Sequence, residues 1–171
     1  LEGIDEWLKT GGAGKKWDVI HFNWGLHDLK YMGSNGENLA EPGSEGAHQQ
    51  VSMEDYVDNL SKLHEVLMGT GAKLIWRTTT PVPEGAEGRV VGDSAKYNKL
   101  AAQVFEGSDV ATHDLYSFAL DRADEIQLPA NVHYSSEGSK KLAKDVVRVI
   151  EEALKLSLIH ISEPTRLRRS S

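Results

Sequence analysis

Apolar and polar positions along the chain switch between two periods. Trp17-Asp18-Val19-Ile20-His21-Phe22-Asn23 is a short apolar run between the glycine-rich stretch from Gly11 to Lys16 and Gly25, the pattern of a buried strand. From Ser52 the period becomes helical, with Met53, Tyr56, Val57, Leu60, Leu63 and Leu67 on one face. Ser52 and Asp55 form a capping-box pattern at its start, and Gly69 and Gly71 stop it. Ala72 to Thr80 predicts a second strand, closed by Pro81 and Pro83. A helix follows from about Ser94 to Glu106, with Tyr97, Leu100, Ala101, Val104 and Phe105 in register. Val110 to His113 predicts a third strand. A last helix starts near Ser136 and carries Leu142, Val146, Val147, Ile150 and Leu154. Alternating strands and helices predict an α/β fold, a parallel sheet with helices on both faces. Three strands make a thin sheet for a doubly wound domain, so further strands are expected ahead of Leu1.

One connection is too long to be scaffold alone. Leu29 to Val51 spans 23 residues without periodicity and includes Gly33, Gly36, Gly43 and Gly46. Loops beyond about 12–15 residues are usually functional or disordered. This one leaves the carboxyl end of the first strand, where open α/β sheets place their ligands.

The ends read as interruptions. The chain opens at Leu1 into Glu2 to Leu8, which resembles the tail of an amphipathic helix. Lys155-Leu156 closes the last helix, and Ser157 to Ser171 resembles translated sequencing-adapter read-through of the kind met in assembled environmental (metagenomic) sequences. The domain expected is therefore 1–156, a fragment, followed by a non-native tail, 157–171. Without that tail, which carries three Arg and one Glu, the net charge moves from −7 to −9. A native basic tail for an acidic partner is the alternative.

Composition narrows the function. With 39% hydrophobic and 26% charged residues, the chain is globular in composition. The acidic balance argues against a nucleic-acid partner, which needs a basic face. No apolar run approaches the ~18 residues of a membrane span. No cysteine is present, which excludes disulfides, Fe–S clusters and thiolate zinc sites.

Two polar clusters stand out. Asn23-Trp24-Gly25-Leu26-His27-Asp28 follows the first buried strand; such residues are poor packing choices and good site choices. Gly25 allows close backbone approach to a ligand, and His27 and Asp28 supply a donor and a carboxylate. Pro129 to Gly138 precedes the last helix and contains Asn131 and His133. Near a helix N-terminus the dipole favours neutral imidazole, which suits a general base. A loop histidine with Ser135 or Ser136 as an N-cap is the plain alternative. Trp7, Trp17, Trp24 and Trp76 are expected in the core, with Trp24 also placed to stack on a sugar or acyl group. His64 is expected at the surface, and His48 at the cleft. A strand-end cap is expected of His113-Asp114.

The two clusters, in their order and separation, carry a resemblance. Gly25-Leu26-His27-Asp28 resembles the Gly-x-Asn-Asp block of the GDSL/SGNH hydrolases. Ala130-Asn131-Val132-His133 resembles their Asp-x-x-His block. Thr80-Pro81-Val82-Pro83 and the Tyr97-Asn98 helix look like members of this family as well. The resemblance covers nearly all of Ile4 to Leu156. It implies a three-layer αβα sandwich, SGNH- or flavodoxin-like, and ester hydrolysis by a serine that a histidine deprotonates. It also implies His133 as the base and His27 in the oxyanion-stabilising place beside Gly25, with Asn23, Trp24, Asp28 and Asn131 near the substrate. The substrate implied is a small ester or an acylated carbohydrate, with carbohydrate deacetylation one form of the reaction. No metal or organic cofactor is implied. Family members are often secreted or periplasmic, and the compartment stays open.

Three departures follow. His27 stands for Asn, although an imidazole N–H still donates to an oxyanion. Ala130 stands for the orienting Asp. The nucleophile block is expected before Leu1, which would leave this fragment inactive. Gly92-Asp93-Ser94 spells the family's motif in the wrong place, where Asp93 or Ser94 is expected to cap a helix. A metal held by His21 and His27 is disfavoured by their spacing. A non-catalytic carbohydrate- or protein-binding module on the same scaffold is the alternative reading. A flavodoxin-like phosphate or nucleotide binder is a third.

Overall fold

A computed structural model describes residues 3–10 and 16–162, apart from the side chains of 157–162. In chain order the elements are α1 (Ile4–Lys9), β1 (Val19–Phe22), β2 (Tyr31–Met32), β3 (His48–Gln49), α2 (Met53–Met68), β4 (Lys73–Arg77), α3 (Asp93–Phe105), β5 (Ala111–His113), α4 (Leu115–Leu120), α5 (Ala123–Ile126) and α6 (Ser136–Ser162).

The sheet is parallel throughout, in the order β1-β4-β5. Phe22 pairs with Trp76, His21 with Ile75, and Arg77 with His113. Side chains alternate along each strand, so the sheet has two unlike faces. Phe22, Leu74 and Trp76 point to one face and join the main apolar cluster with Tyr56, Leu60, Leu63 and Leu67 of α2 and Tyr97, Ala101 and Phe105 of α3. His21, Ile75 and His113 point to the other face, where α6 meets it through Asp145. These are the three layers that strand–helix alternation predicted.

Local chemistry sets the helix starts. The Ser52 hydroxyl accepts the Asp55 N–H at 3.1 Å and donates to the Asp55 carboxylate at 2.8 Å, so the capping pattern holds. The start of α3 differs from expectation. Gly92, in a left-handed conformation, is the N-cap, and the buried Asp93 carboxylate instead accepts from Lys96 and from Gln49. At α6 the Ser135 hydroxyl accepts the Gly138 N–H at 2.9 Å. Gly138 also lets this helix start lie against Ile126, whose carbonyl oxygen would be 2.3 Å from an added Cβ.

Other expectations are revised. The 29–51 connection is not structureless: β2 and β3 pair antiparallel within it, and Tyr31 N–H donates to the Gly88 carbonyl. The helix α6 runs on through Ser162, past Leu156, while 163–171 of the expected tail lies outside the described residues. Its apolar stripe is only partly covered, with Val147 52% exposed. Of the four tryptophans only Trp76 is buried. Trp7, Trp17 and Trp24 line a cavity of about 460 Å³ beside β1, whose outer edge has no strand partner among the described residues. His64 is half-buried, edge-on to Phe105 at 5.3 Å.

Candidate active site

The carboxyl end of the sheet is stitched together by polar side chains. The Asn23 amide donates to the Arg77 carbonyl at 2.7 Å and to the Thr79 hydroxyl at 3.1 Å, and its oxygen accepts from the Arg77 guanidinium at 2.9 Å. Burial lowers the Arg77 pKa. The Trp24 carbonyl accepts from the Tyr56 and Thr79 hydroxyls. Gly25 has φ 143°, and a Cβ there would lie 2.3 Å from the Thr79 hydroxyl oxygen. The close approach that glycine permits is therefore to Thr79 of the neighbouring strand end. His27 is exposed just beyond it, while Asp28 turns inward. Burial raises the Asp28 carboxyl, against backbone N–H bonds of Asp28 and Gly25 and the charge of His27. Burial, followed by the nearby Asp28 charge, raises the phenols of Tyr56 and Tyr97.

The His133 loop reaches the same end of the sheet by a different route. Gln127 donates to the Pro81 carbonyl at 3.1 Å, and Gln127 bridges to Tyr134. Gly25 thus touches Thr79, and the His133 loop is tied to Pro81, two residues further on. His133 is exposed. Its Nδ1 lies 2.7 Å from the Asn131 side-chain oxygen, which also accepts the His133 backbone N–H at 2.9 Å. Ala130, standing where the resemblance expects an Asp, has φ 51° and presents only a methyl group. No hydrogen bond or ring contact joins His27 to His133 among the described residues.

Sequence reasoning missed a second histidine system. His21 Nε2 lies 2.9 Å from His113 Nδ1, and His113 Nε2 lies 2.8 Å from the Asp145 carboxylate. Arg148 binds the same carboxylate at 2.7 Å. Burial, then the charges of His113 and Arg77, lowers the His21 pKa to about 4. Burial raises the Asp145 carboxyl, but the hydrogen bonds from His113 and Arg148 outweigh it and leave it below the ordinary value. The Asp114 carboxylate caps α4 at the Ser117 N–H, as a strand-end cap should, while His113 points into this chain. Strand alternation puts His21 and His113 on one face; only the α6 register could reveal Asp145. Among the described residues no group of three or more His, Cys, Asp or Glu side chains could hold a metal ion. No described helix is long and apolar enough to cross a membrane.

A parallel sheet flanked by helices, with a histidine loop at its carboxyl end, defines an α/β protein and is consistent with an SGNH-like fold. No family model matches the chain. Over 141 residues it is 27% identical to a GDSL esterase/lipase, CPRD49, of Arabidopsis thaliana, covering 73% of this chain and 54% of that protein. The chain spans about half the length of this curated relative. The similarity supports membership of the GDSL/SGNH hydrolase family.

Proposed function

We propose that the chain is part of a serine ester hydrolase in which His133 is the general base. The observation that carries this reading is the exposed His133 imidazole, held through Nδ1 at the carboxyl end of the sheet, within a chain similar to a GDSL esterase. In this reading the nucleophile is a serine on a strand ahead of β1. Its hydroxyl proton passes to His133 Nε2 as Oγ attacks the ester carbonyl carbon. The His27 N–H and the backbone near Gly25 donate to the oxyanion. His133 returns the proton to the leaving alcohol, and water, deprotonated by the same ring, releases the acyl group. Short acyl esters, including acetylated carbohydrate, are the proposed substrates. Asn23 and Asp28 would act here as supports, since their side chains are engaged or turned inward. Ser94 does not serve as the nucleophile, because it is buried at the start of α3.

p-Nitrophenyl acetate hydrolysis by the longest reading frame that contains this chain tests the proposal. His133→Ala is expected to lower kcat on the order of 10²–10⁴-fold. Full turnover by that variant, or turnover by the present chain that Ser94→Ala abolishes, would overturn it. Carbohydrate binding without any hydrolysis would favour the binding-module reading.

A further inference from the structure

We propose that Asn131 is the positioning residue of His133 and takes over the orienting role that the methyl group of Ala130 cannot perform. This role rests on the reading of His133 as the base and deepens it.

The donors and acceptors around the ring decide which nitrogen carries its proton. An Asn amide has an acceptor end and a donor end, and which end faces a histidine decides the ring's tautomer. An amide NH₂ aimed at Nδ1 would force the proton onto Nε2 and leave no base. In a serine protease triad, changing the orienting Asp to Asn costs on the order of 10⁴ in rate through that tautomer error. Here the ambiguity is removed by a third group. The backbone N–H of His133 points at the same Asn131 oxygen at 2.9 Å, and an N–H can face only an acceptor. Turning the amide over would set NH₂ against N–H. The oxygen is therefore pinned toward the ring, and Nδ1, 2.7 Å away, carries the proton. Nε2 is left with its lone pair, and it makes no hydrogen bond among the described residues. The backbone supports this local loop, since Asn131 N–H donates to the Leu128 carbonyl and Leu128 N–H to that of His133.

The consequence is a base oriented without a formal charge. A neutral amide oxygen fixes tautomer and ring angle but gives less stabilisation to the imidazolium than a carboxylate does.

The test is ¹⁵N NMR of the imidazoles of the intact chain at about pH 8, where ordinary histidine rings are neutral. The Nδ1–H form is expected to dominate for His133. Asn131→Ala is expected to shift it toward Nε2–H, and Asn131→Asp to keep Nδ1–H. A dominant Nε2–H form in the unmodified chain would overturn the proposal, as would an unchanged tautomer in a folded Asn131→Ala protein. Should Asn131→Ala not fold, the unmodified chain and Asn131→Asp still decide. In an active full-length enzyme, Asn131→Ala should lower kcat by between about tenfold and 10⁴-fold with little change in KM, and Asn131→Asp should restore it. The tautomer reads positioning whether or not an ester is hydrolysed, so loss of the hydrolase reading and loss of this one give different results.

Discussion

Two histidine systems divide this molecule, and they use similar partners to opposite ends. Between the sheet and α6, His113 is 4% exposed and both its ring nitrogens are engaged, one with His21 and one with Asp145. Ahead of α6, His133 is exposed and, among the described residues, Nδ1 alone is engaged, with Asn131. The first system joins β1, β5 and α6, and its protons are committed to holding those elements together. The second holds a ring in place at Nδ1, and its Nε2 makes no hydrogen bond among the described residues. An imidazole with both nitrogens bound in a covered layer is cross-linking material. An imidazole held at one nitrogen and open at the other can move a proton.

The largest test of that contrast is His113→Ala. It removes the middle of the buried chain, opens a cavity and strips His21 Nε2 and Asp145 of a partner. A loss of about 2–4 kcal/mol is expected, read as a lower urea midpoint. A midpoint within error of the parent would show that the buried chain does not hold the layers together.

Acid supplies the next test. His21 has a folded pKa of about 4 against an ordinary 6.5, so the unfolded chain binds the proton first. Its contribution is complete above about pH 6.5, is lost as pH falls through the window from 6.5 to 4, and is not lost further below 4. The ring is only half-buried, so solvent screening trims the effect to about 1–2 kcal/mol. His21→Gln should flatten the pH dependence of the unfolding midpoint across that window. An unchanged slope would place the acid sensitivity elsewhere.

The smallest effect concerns the exposed system. Ala130 has φ 51°, a conformation that costs a residue with a Cβ more than it costs glycine. Ala130→Gly should therefore raise stability by about 0.5 kcal/mol, after the extra freedom of the unfolded glycine is counted. A lower thermal midpoint would show that packing of the Ala130 methyl group outweighs the backbone cost.

Much of the architecture was legible in the chain. The helical spacing from Met53 to Leu67 and the Ser52 cap are local properties, and α2 forms where they put it. The apolar runs around Val19 and Leu74 are strands where their spacing put them, whereas Ala111 and Thr112 are exposed and β5 is held by its pairing with β4. What was missed depends on partners distant in sequence. Nothing local in Tyr31-Met32 or His48-Gln49 announces that they pair. The motif Gly92-Asp93-Ser94 looks like a cap, yet Asp93 is claimed by Gln49, more than forty residues earlier. Trp7 and Trp17 read as core residues by type, but they lie beside the outer edge of β1, which has no strand partner among the described residues.

The same division runs through the site. Sequence alone determined that His27 follows a strand and His133 precedes a helix, that Ala130 offers no carboxylate, and that the layers alternate strand and helix. Only the tertiary structure decided which imidazoles are committed: it set Asp145 of α6 against His113, and it turned the Asn131 oxygen toward His133. The reason is that hydrophobic period is written in neighbouring residues, whereas the proton on a ring nitrogen is set by whichever acceptor the folded backbone carries to it.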